Sequence, residues 1–179
     1  MMWIFGYGSL IWRPDFPFTE KRVAVLHDWE RRFYQASPDH RGTPAAPGRV
    51  VTLLQAPGEA VWGMAYKPQP EVLETILYDL DVREQAGYEH HRVVVDWMED
   101  GEHVGTIEDV LVYVAGPNNP NFIGEAPYED MAAHILRSRG PSGDNIEYLL
   151  KLAESLKEMG AFDEHVLTLA EIARKKILS

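Results

Sequence analysis

Near the start of the chain an apolar run, Trp3-Ile4-Phe5, enters a Gly6-Tyr7-Gly8-Ser9 turn and leaves it as Leu10-Ile11-Trp12. The run reads as a strand. Glycines at 6 and 8 allow a sharp turn and a close approach of backbone to ligand, with amide groups left to face an anion. A tight turn that needs glycine only for its dihedrals fits the same residues. The segment after the turn constrains the fold. Trp12, Pro14 and Pro17 interrupt it, and it has no helical apolar period. Gly6-x-Gly8 begins a dinucleotide fingerprint, and Asp28 stands about twenty residues further on, but the third glycine position holds Ile11. Without a helix N-terminus there is no dipole for a pyrophosphate, so a Rossmann unit is excluded.

Beyond the turn, strand patterns come first and helical ones last. Val23 to Leu26, Arg32 to Gln35, Val50 to Leu54 and Val61 to Tyr66 are short β-rich runs separated by Pro/Gly/Asp clusters, including Ser37 to Gly48 and Ala56 to Glu59. They predict a largely antiparallel sheet. Val72, Ile76, Leu77 and Leu80 recur at helical spacing within Glu71 to Asp81, and Val82 to Tyr88 is expected to leave that helix. Arg92 to Trp97 and Ile107 to Val114 read as a hairpin turned at Asp100-Gly101. After an irregular stretch from Gly116 to Ala126, Pro127 suits a first helical position and Gly140 a stop. Asp144 and Glu147 fit an N-cap and its third-position partner for a helix ending at Gly160, and Asp163 suits the cap of a last helix. The fold class expected is α+β, a sheet covered by helices.

The chain has 179 residues and is 45% hydrophobic, enough for one compact domain over residues 1–179. Its net charge of −11 argues against nucleic acid or an anionic membrane surface as partner, so an anionic substrate needs local basic groups. The absence of cysteine removes disulfides, thiolate catalysis and zinc–thiolate sites. No basic region followed by a long apolar run opens the sequence, and a cytoplasmic protein without a membrane span is the expectation.

Candidate chemistry lies where polar residues interrupt this plan. Glu84, three residues before Gly87, is a candidate general base if burial raises its pKa from about 4.3 toward neutrality. Arg41 and Arg49 flank a loop that precedes a strand, and the planar guanidinium fork suits a carboxylate. The seven histidines never show i, i+4 spacing, and no firm ligand set joins Asp79-x-Asp81, so no metal and no cofactor is expected. Ser9 lacks a nucleophile-elbow pattern, and neither Ser9 nor Ser142 has an evident histidine partner.

Taken in order, Phe5-Gly6-Tyr7-Gly8-Ser9-Leu10-Ile11-Trp12, Arg31-Arg32-Phe33, Asp39-His40-Arg41-Gly42-Thr43, Pro47-Gly48-Arg49-Val50-Val51-Thr52-Leu53, Val61-Trp62-Gly63-Met64-Ala65-Tyr66, Arg83-Glu84 with Gly87-Tyr88, and Gly140-Pro141-Ser142-Gly143 before Asn145 and Glu147-Tyr148-Leu149 form a set that resembles the ChaC-type gamma-glutamylcyclotransferases. The set spans nearly the whole chain. The resemblance implies a mixed α/β fold with a small barrel-like sheet, and cleavage of glutathione to 5-oxoproline and cysteinylglycine. It implies that Tyr7-Gly8-Ser9-Leu10, with Gly6, is the substrate loop and that Glu84 is the catalytic acid/base. Arg49 and Arg41 are then candidates for the glycine carboxylate of glutathione. Where the family often has Lys-Gly, this chain has Gln85-Ala86, a departure that bears on substrate preference and loop conformation. Other γ-glutamyl compounds as substrates, or a noncatalytic γ-glutamyl-binding module, are the alternatives. The oligomeric state is not legible.

Overall fold

A computed structural model describes residues 2–179, with the side chains of Arg83 and Glu84 outside the described set. Five strands close into a barrel in the order β1-β3-β2-β4-β5: β1 (Trp3–Gly6), β2 (Phe18–Ser37), β3 (Gly48–Pro68), β4 (Glu89–Glu99) and β5 (Glu102–Val114). Every pairing is antiparallel except β1 with β5, the parallel seam that closes the barrel. Closure leaves no unpaired edge along the seam.

The four short β-rich runs before residue 70 are parts of two long strands. Both carry an irregularity at the break expected from the sequence: the β2–β3 register shifts between His27 and Trp29, where Asp28 has φ 68° and its carboxylate accepts the Gly58 amide. The Ala56–Glu59 punctuation is therefore a bulge within β3. It bends the hairpin, so that one part completes the barrel while the other, from Phe33 and Val51 toward the hairpin's tip, carries helices. The Asp100-Gly101 turn of the β4–β5 hairpin forms with both residues at positive φ, as its sequence requires.

Four helices are arranged in chain order: α1 (Leu73–Gln85), α2 (Tyr128–Arg137), α3 (Asn145–Glu158) and α4 (Glu164–Leu178), with a two-stranded hairpin, β6 (Arg139–Gly140) and β7 (Gly143–Asp144), before α3. Three boundaries differ from those expected of the sequence. Helix α1 does not end at Asp81 but runs to Gln85, because nothing from 82 to 85 opposes a helix and the first breaker is Gly87, at φ 88°. Pro127 stands one place before α2, and α2 ends at Arg137, where the Ser138 hydroxyl bonds the His134 carbonyl; Gly140 instead serves the β6–β7 turn. Asp144 holds the N-cap position of α3 without a side-chain cap bond. The Asp163 cap forms as expected, accepting the Val166 amide at 3.1 Å.

Three apolar clusters divide the molecule. Phe5, Ala24, Leu53, Val61, Val95 and Val110 belong to the one that fills the barrel. Phe33, Met131, Leu149, Leu152, Val166 and Leu169 belong to the one that joins α2, α3 and α4 to the far half of the hairpin. Ile76 and Leu80 of α1 pack with Ile4, Leu111 and Tyr113 of β1 and β5. Position 84 lies one turn beyond Leu80 on α1.

Candidate active site

The glycine turn leaves β1 and closes as a short 3-10 helix, Ser9–Ile11. Its carbonyls are all engaged. Tyr7 O accepts Arg31 Nε at 2.8 Å, Gly8 O accepts the Ile11 amide at 3.0 Å, Ser9 O accepts the Arg13 amide at 2.8 Å, and Leu10 O accepts the Tyr66 hydroxyl at 2.6 Å. The amides of Gly8, Ser9 and Leu10 donate to no backbone carbonyl among the described residues. Carbonyls held and amides open is the arrangement that an anion cradle needs.

Gly8 is required here by space. A Cβ on it would sit 2.7 Å from Tyr148 Oη and 3.1 Å from Val51 Cγ2. Tyr148, on α3, is buried with its ring edge-on to Trp12 and Phe33. Its oxygen receives the Val51 amide at 3.4 Å, and burial pushes the phenol up to about 12, so it keeps its proton at neutral pH. A protonated hydroxyl thus lies directly over the turn. The sequence places Tyr148 in a helix but not in the site. The available clue is its position between Asn145 and Leu149 on the buried face of α3.

Beneath the turn, Arg31 is the largest fully buried side chain and 1% exposed. Besides Tyr7 O, it donates to Trp62 O and pairs with Asp163 Oδ2 at 2.8 Å. Burial works against its charge and Asp163 opposes that shift. Since Asp163 also caps α4, one carboxylate ties the turn to the last helix.

Arg41 and Arg49 are buried too, so the charged Lys and Arg side chains buried among the described residues are these three arginines, all on the turn's side of the molecule. In a chain of net charge −11 this is the local positive charge that an anionic substrate needs. The two expected carboxylate ligands differ. Arg49 donates through Nη1 to Phe33 O at 2.7 Å and Gly124 O at 3.0 Å, and through Nε to His134 Nδ1 at 3.3 Å, which commits it to tying segments together. Arg41 pairs through Nη1 alone, with Asp144 O at 3.0 Å and, more loosely, Glu147 at 3.9 Å, and its guanidinium lies 5.9 Å from the Tyr148 ring centre. The structure thus brings the turn, Tyr148 and Arg41 together. Asn145, wholly buried, bonds Arg49 N and O through its side chain and so aligns β3 with α3.

Glu84 lies on α1, and its side chain is outside the described residues. The segment after it is held by Asn119, whose Nδ2 donates to the Ala86 carbonyl at 3.4 Å. Ser142, expected to lack a histidine, has His40 Nδ1 3.3 Å from its hydroxyl, with Asp39 3.8 Å from the other ring nitrogen. His40 and Asp39 are 71% and 73% exposed, and among the described residues no buried donor pair faces Ser142, so the trio has neither the desolvation nor the oxyanion site of a hydrolase triad. Open grooves of about 380 and 330 Å³, beside Trp62 and Trp12 along the C-terminal half of α3, are not lined by the turn's glycines, Arg41 or Arg49.

The family model of ChaC-like proteins matches residues 2–176. The chain belongs to the ChaC-like family. Among similar proteins, human glutathione-specific gamma-glutamylcyclotransferase 1 is 43% identical over 174 residues, covering 95% of this chain and 77% of the relative. Gamma-glutamylcyclotransferase 2-3 of Arabidopsis thaliana is 42% identical over 177 residues, covering 97% and 88%. A crystal structure of the yeast gamma-glutamylcyclotransferase specific to glutathione superposes with a TM-score of 0.84 at 32% identity, over 97% of this chain and 96% of that one. The closed barrel with its covering helices is thus the fold of the ChaC-like family, and the sequence resemblance holds.

Proposed function

We propose that this protein is a gamma-glutamylcyclotransferase that cleaves glutathione to 5-oxoproline and cysteinylglycine. The observation that carries the reading is the glycine turn, with its amides open, a protonated Tyr148 hydroxyl over Gly8, and Arg41 beside that ring. The family relatives supply the substrate class, since the human and yeast proteins are named for glutathione.

The chemistry asks little of side chains. The α-amine of the γ-glutamyl group attacks its own γ-carbonyl, a five-membered ring closes, and the amide bond to cysteine breaks. Amine and carbonyl already belong to one molecule, so what the site supplies is orientation: it holds the γ-glutamyl chain in the folded conformer that puts the two in line. No enzyme nucleophile is needed. Glu84 takes the proton that the amine must lose and returns it to the departing amide nitrogen. The amides of Gly8, Ser9 and Leu10 and the Tyr148 hydroxyl take the negative oxygen of the substrate. A carboxylate and the oxyanion of the tetrahedral intermediate call for the same donors. Arg41, whose guanidinium has fewer commitments than that of Arg49, takes the glycine carboxylate.

Glu84→Gln is the test. It keeps size and polarity but cannot accept the proton, so turnover of glutathione to 5-oxoproline should fall by about 10²- to 10⁴-fold while the protein melts as the wild type does. Near-normal release of 5-oxoproline by this variant would end the general-base assignment. Glutathione binding without any 5-oxoproline from the wild-type protein would end the enzyme reading.

A further inference from the structure

The polar side chains that this mechanism leaves unused include one buried pair with an unusual feature. Gln35, on β2, and Asn119, in the stretch between β5 and α2, are 2% and 5% exposed, and Gln35 Nε2 donates to Asn119 Oδ1 at 3.4 Å. Among the described residues, Gln35 Oε1 is the buried side-chain atom that has no hydrogen-bond partner. An orphaned acceptor costs about 1–3 kcal/mol, so this pair is not explained as a device for stability.

Asn119 is itself firmly placed. Its amide bonds Gly116 O at 2.9 Å, its carbonyl accepts the Phe122 amide at 3.0 Å, and its Oδ1 accepts the Asn121 amide at 2.9 Å. The surrounding stretch is stitched to β2, with Ala36 N bonding Asn121 O at 2.7 Å and Ile123 N bonding Tyr34 O at 2.8 Å. Arg49 fastens the same stretch through Gly124 O. One group of Asn119 is left over, Nδ2, and it reaches the carbonyl of Ala86, two residues past Glu84. Around that carbonyl the described side chains face solvent: Asp81, Val82, Gln85, Ala86 and Gly87 are all exposed. Gly87 turns there at φ 88°, and even a Cβ on it would come within 3.2 Å of Asn119 Nδ2.

We propose that the buried Gln35–Asn119 amide pair is the positioning device for Glu84, holding the end of α1 against the barrel through the Ala86 carbonyl. The inference rests on the reading of Glu84 as general base. Neither amide touches the reacting atoms. Gln35 sets the rotamer of Asn119, and Asn119 sets where the last turn of α1 stops. Arg49 contributes from behind, which gives this arginine a part in the site without contact to the substrate.

The experiment compares Asn119→Ala, Gln35→Met and Glu84→Gln in steady-state release of 5-oxoproline from glutathione, with thermal melting of each. Misplacing a base by a fraction of an ångström should lower kcat by about ten- to a hundredfold in the first two, with KM changed less than about threefold. The acid limb of the kcat/KM profile should move in both, because it reports the pKa of the base in its setting. Gln35→Met removes the orphaned oxygen and leaves Asn119 Oδ1 its bond from Asn121, so its melting temperature should equal or exceed that of the wild type while turnover falls. Wild-type kcat and an unmoved acid limb in both amide variants, beside an inactive Glu84→Gln, would overturn the proposal alone. Lost turnover that tracks lost melting temperature, with no movement of the acid limb, would reduce the pair to a structural role. An active Glu84→Gln would overturn the reading of Glu84 together with the inference built on it.

Discussion

The two halves of the proposed site are held in place by very different means. The glycine turn rests on a buried arginine with three partners, packs under a buried phenol, and has every carbonyl engaged. The end of α1 has Ile76 and Leu80 to anchor it from one side, exposed residues around its last turn, and a bond from Asn119 to hold it. An anion cradle gains from rigidity because its donors must be in place before charge develops. A proton-transferring carboxylate must instead work at two successive nitrogens, so its placement bears on the rate more than on the fold. Stability should therefore concentrate on the support beneath the turn, while turnover should be sensitive in both halves.

The largest effect expected of a change on the turn side comes from Arg31. Arg31→Met fills a similar volume but strands Asp163 and frees two carbonyls, and breaking a buried pair costs about 3–5 kcal/mol. Chemical denaturation should show that loss, and 5-oxoproline release should fall with it. Full stability in Arg31→Met would mean that the turn is not the rigid half.

The same half should carry the pH dependence of folding. His165 accepts the Phe33 amide at 2.9 Å, faces the Tyr128 hydroxyl at 3.2 Å, and lies near Arg31, Arg32, Arg49 and Asp163. Burial, the largest cause, drives its pKa down to about 4, so the neutral ring is the folded form. The unfolded chain takes up this proton below about 6.5 and the folded chain only near 4, so stability is full above that range, falls as pH drops through it, and levels off below. The whole loss from this group is about 3 kcal/mol. Urea midpoints at pH values of about 7.5, 5.5 and 4.5 measure it, and His165→Gln should flatten that profile. An unchanged slope in His165→Gln would place the acid sensitivity elsewhere.

Gly8→Ala sharpens the contrast from the side of activity. The added methyl would meet Tyr148 Oη and Val51 together, so either the phenol or the turn must shift. A shift of that size should lower kcat/KM by about a hundredfold. Melting should change little, because the Arg31 contacts are untouched. Loss of stability matching that of Arg31→Met would show the turn to be one unit rather than a cradle above a support.

How far these features are legible in the sequence depends on the range of the forces involved. Local signals read correctly: the Asp100-Gly101 turn and the Asp163 cap depend on neighbours along the chain. Gln35, Asn119 and His165 cannot be picked out, and Arg31 is marked by a motif but not by its role, because each is buried by partners distant in sequence: Gln35 and Asn119 are 84 residues apart, Arg31 and Asp163 132. The extension of α1 past Asp81 is hidden because Glu84 reads as part of a turn, when the stop is Gly87. Arg49 shows the limit most plainly. Its residue type suits a carboxylate, and only the fold shows that Phe33 O, Gly124 O and His134 engage its Nη1 and Nε.

The smallest effect expected is at the family departure. Replacing Gln85-Ala86 by Lys-Gly changes two exposed side chains and leaves the Ala86 carbonyl, the group that Asn119 holds, in place. Position 86 lies one place past the end of α1, where glycine is well tolerated, so turnover of glutathione should move by less than about threefold. The informative number is the ratio of 5-oxoproline released from glutathione to that released from γ-glutamyl dipeptides. An unchanged ratio leaves specificity with the rigid half, where Arg41 can tell a tripeptide's carboxylate from a dipeptide's by its distance from the γ-carbonyl. A ratio shifted tenfold or more would move specificity to the end of α1. The end of α1 would then choose the substrate as well as transfer the proton.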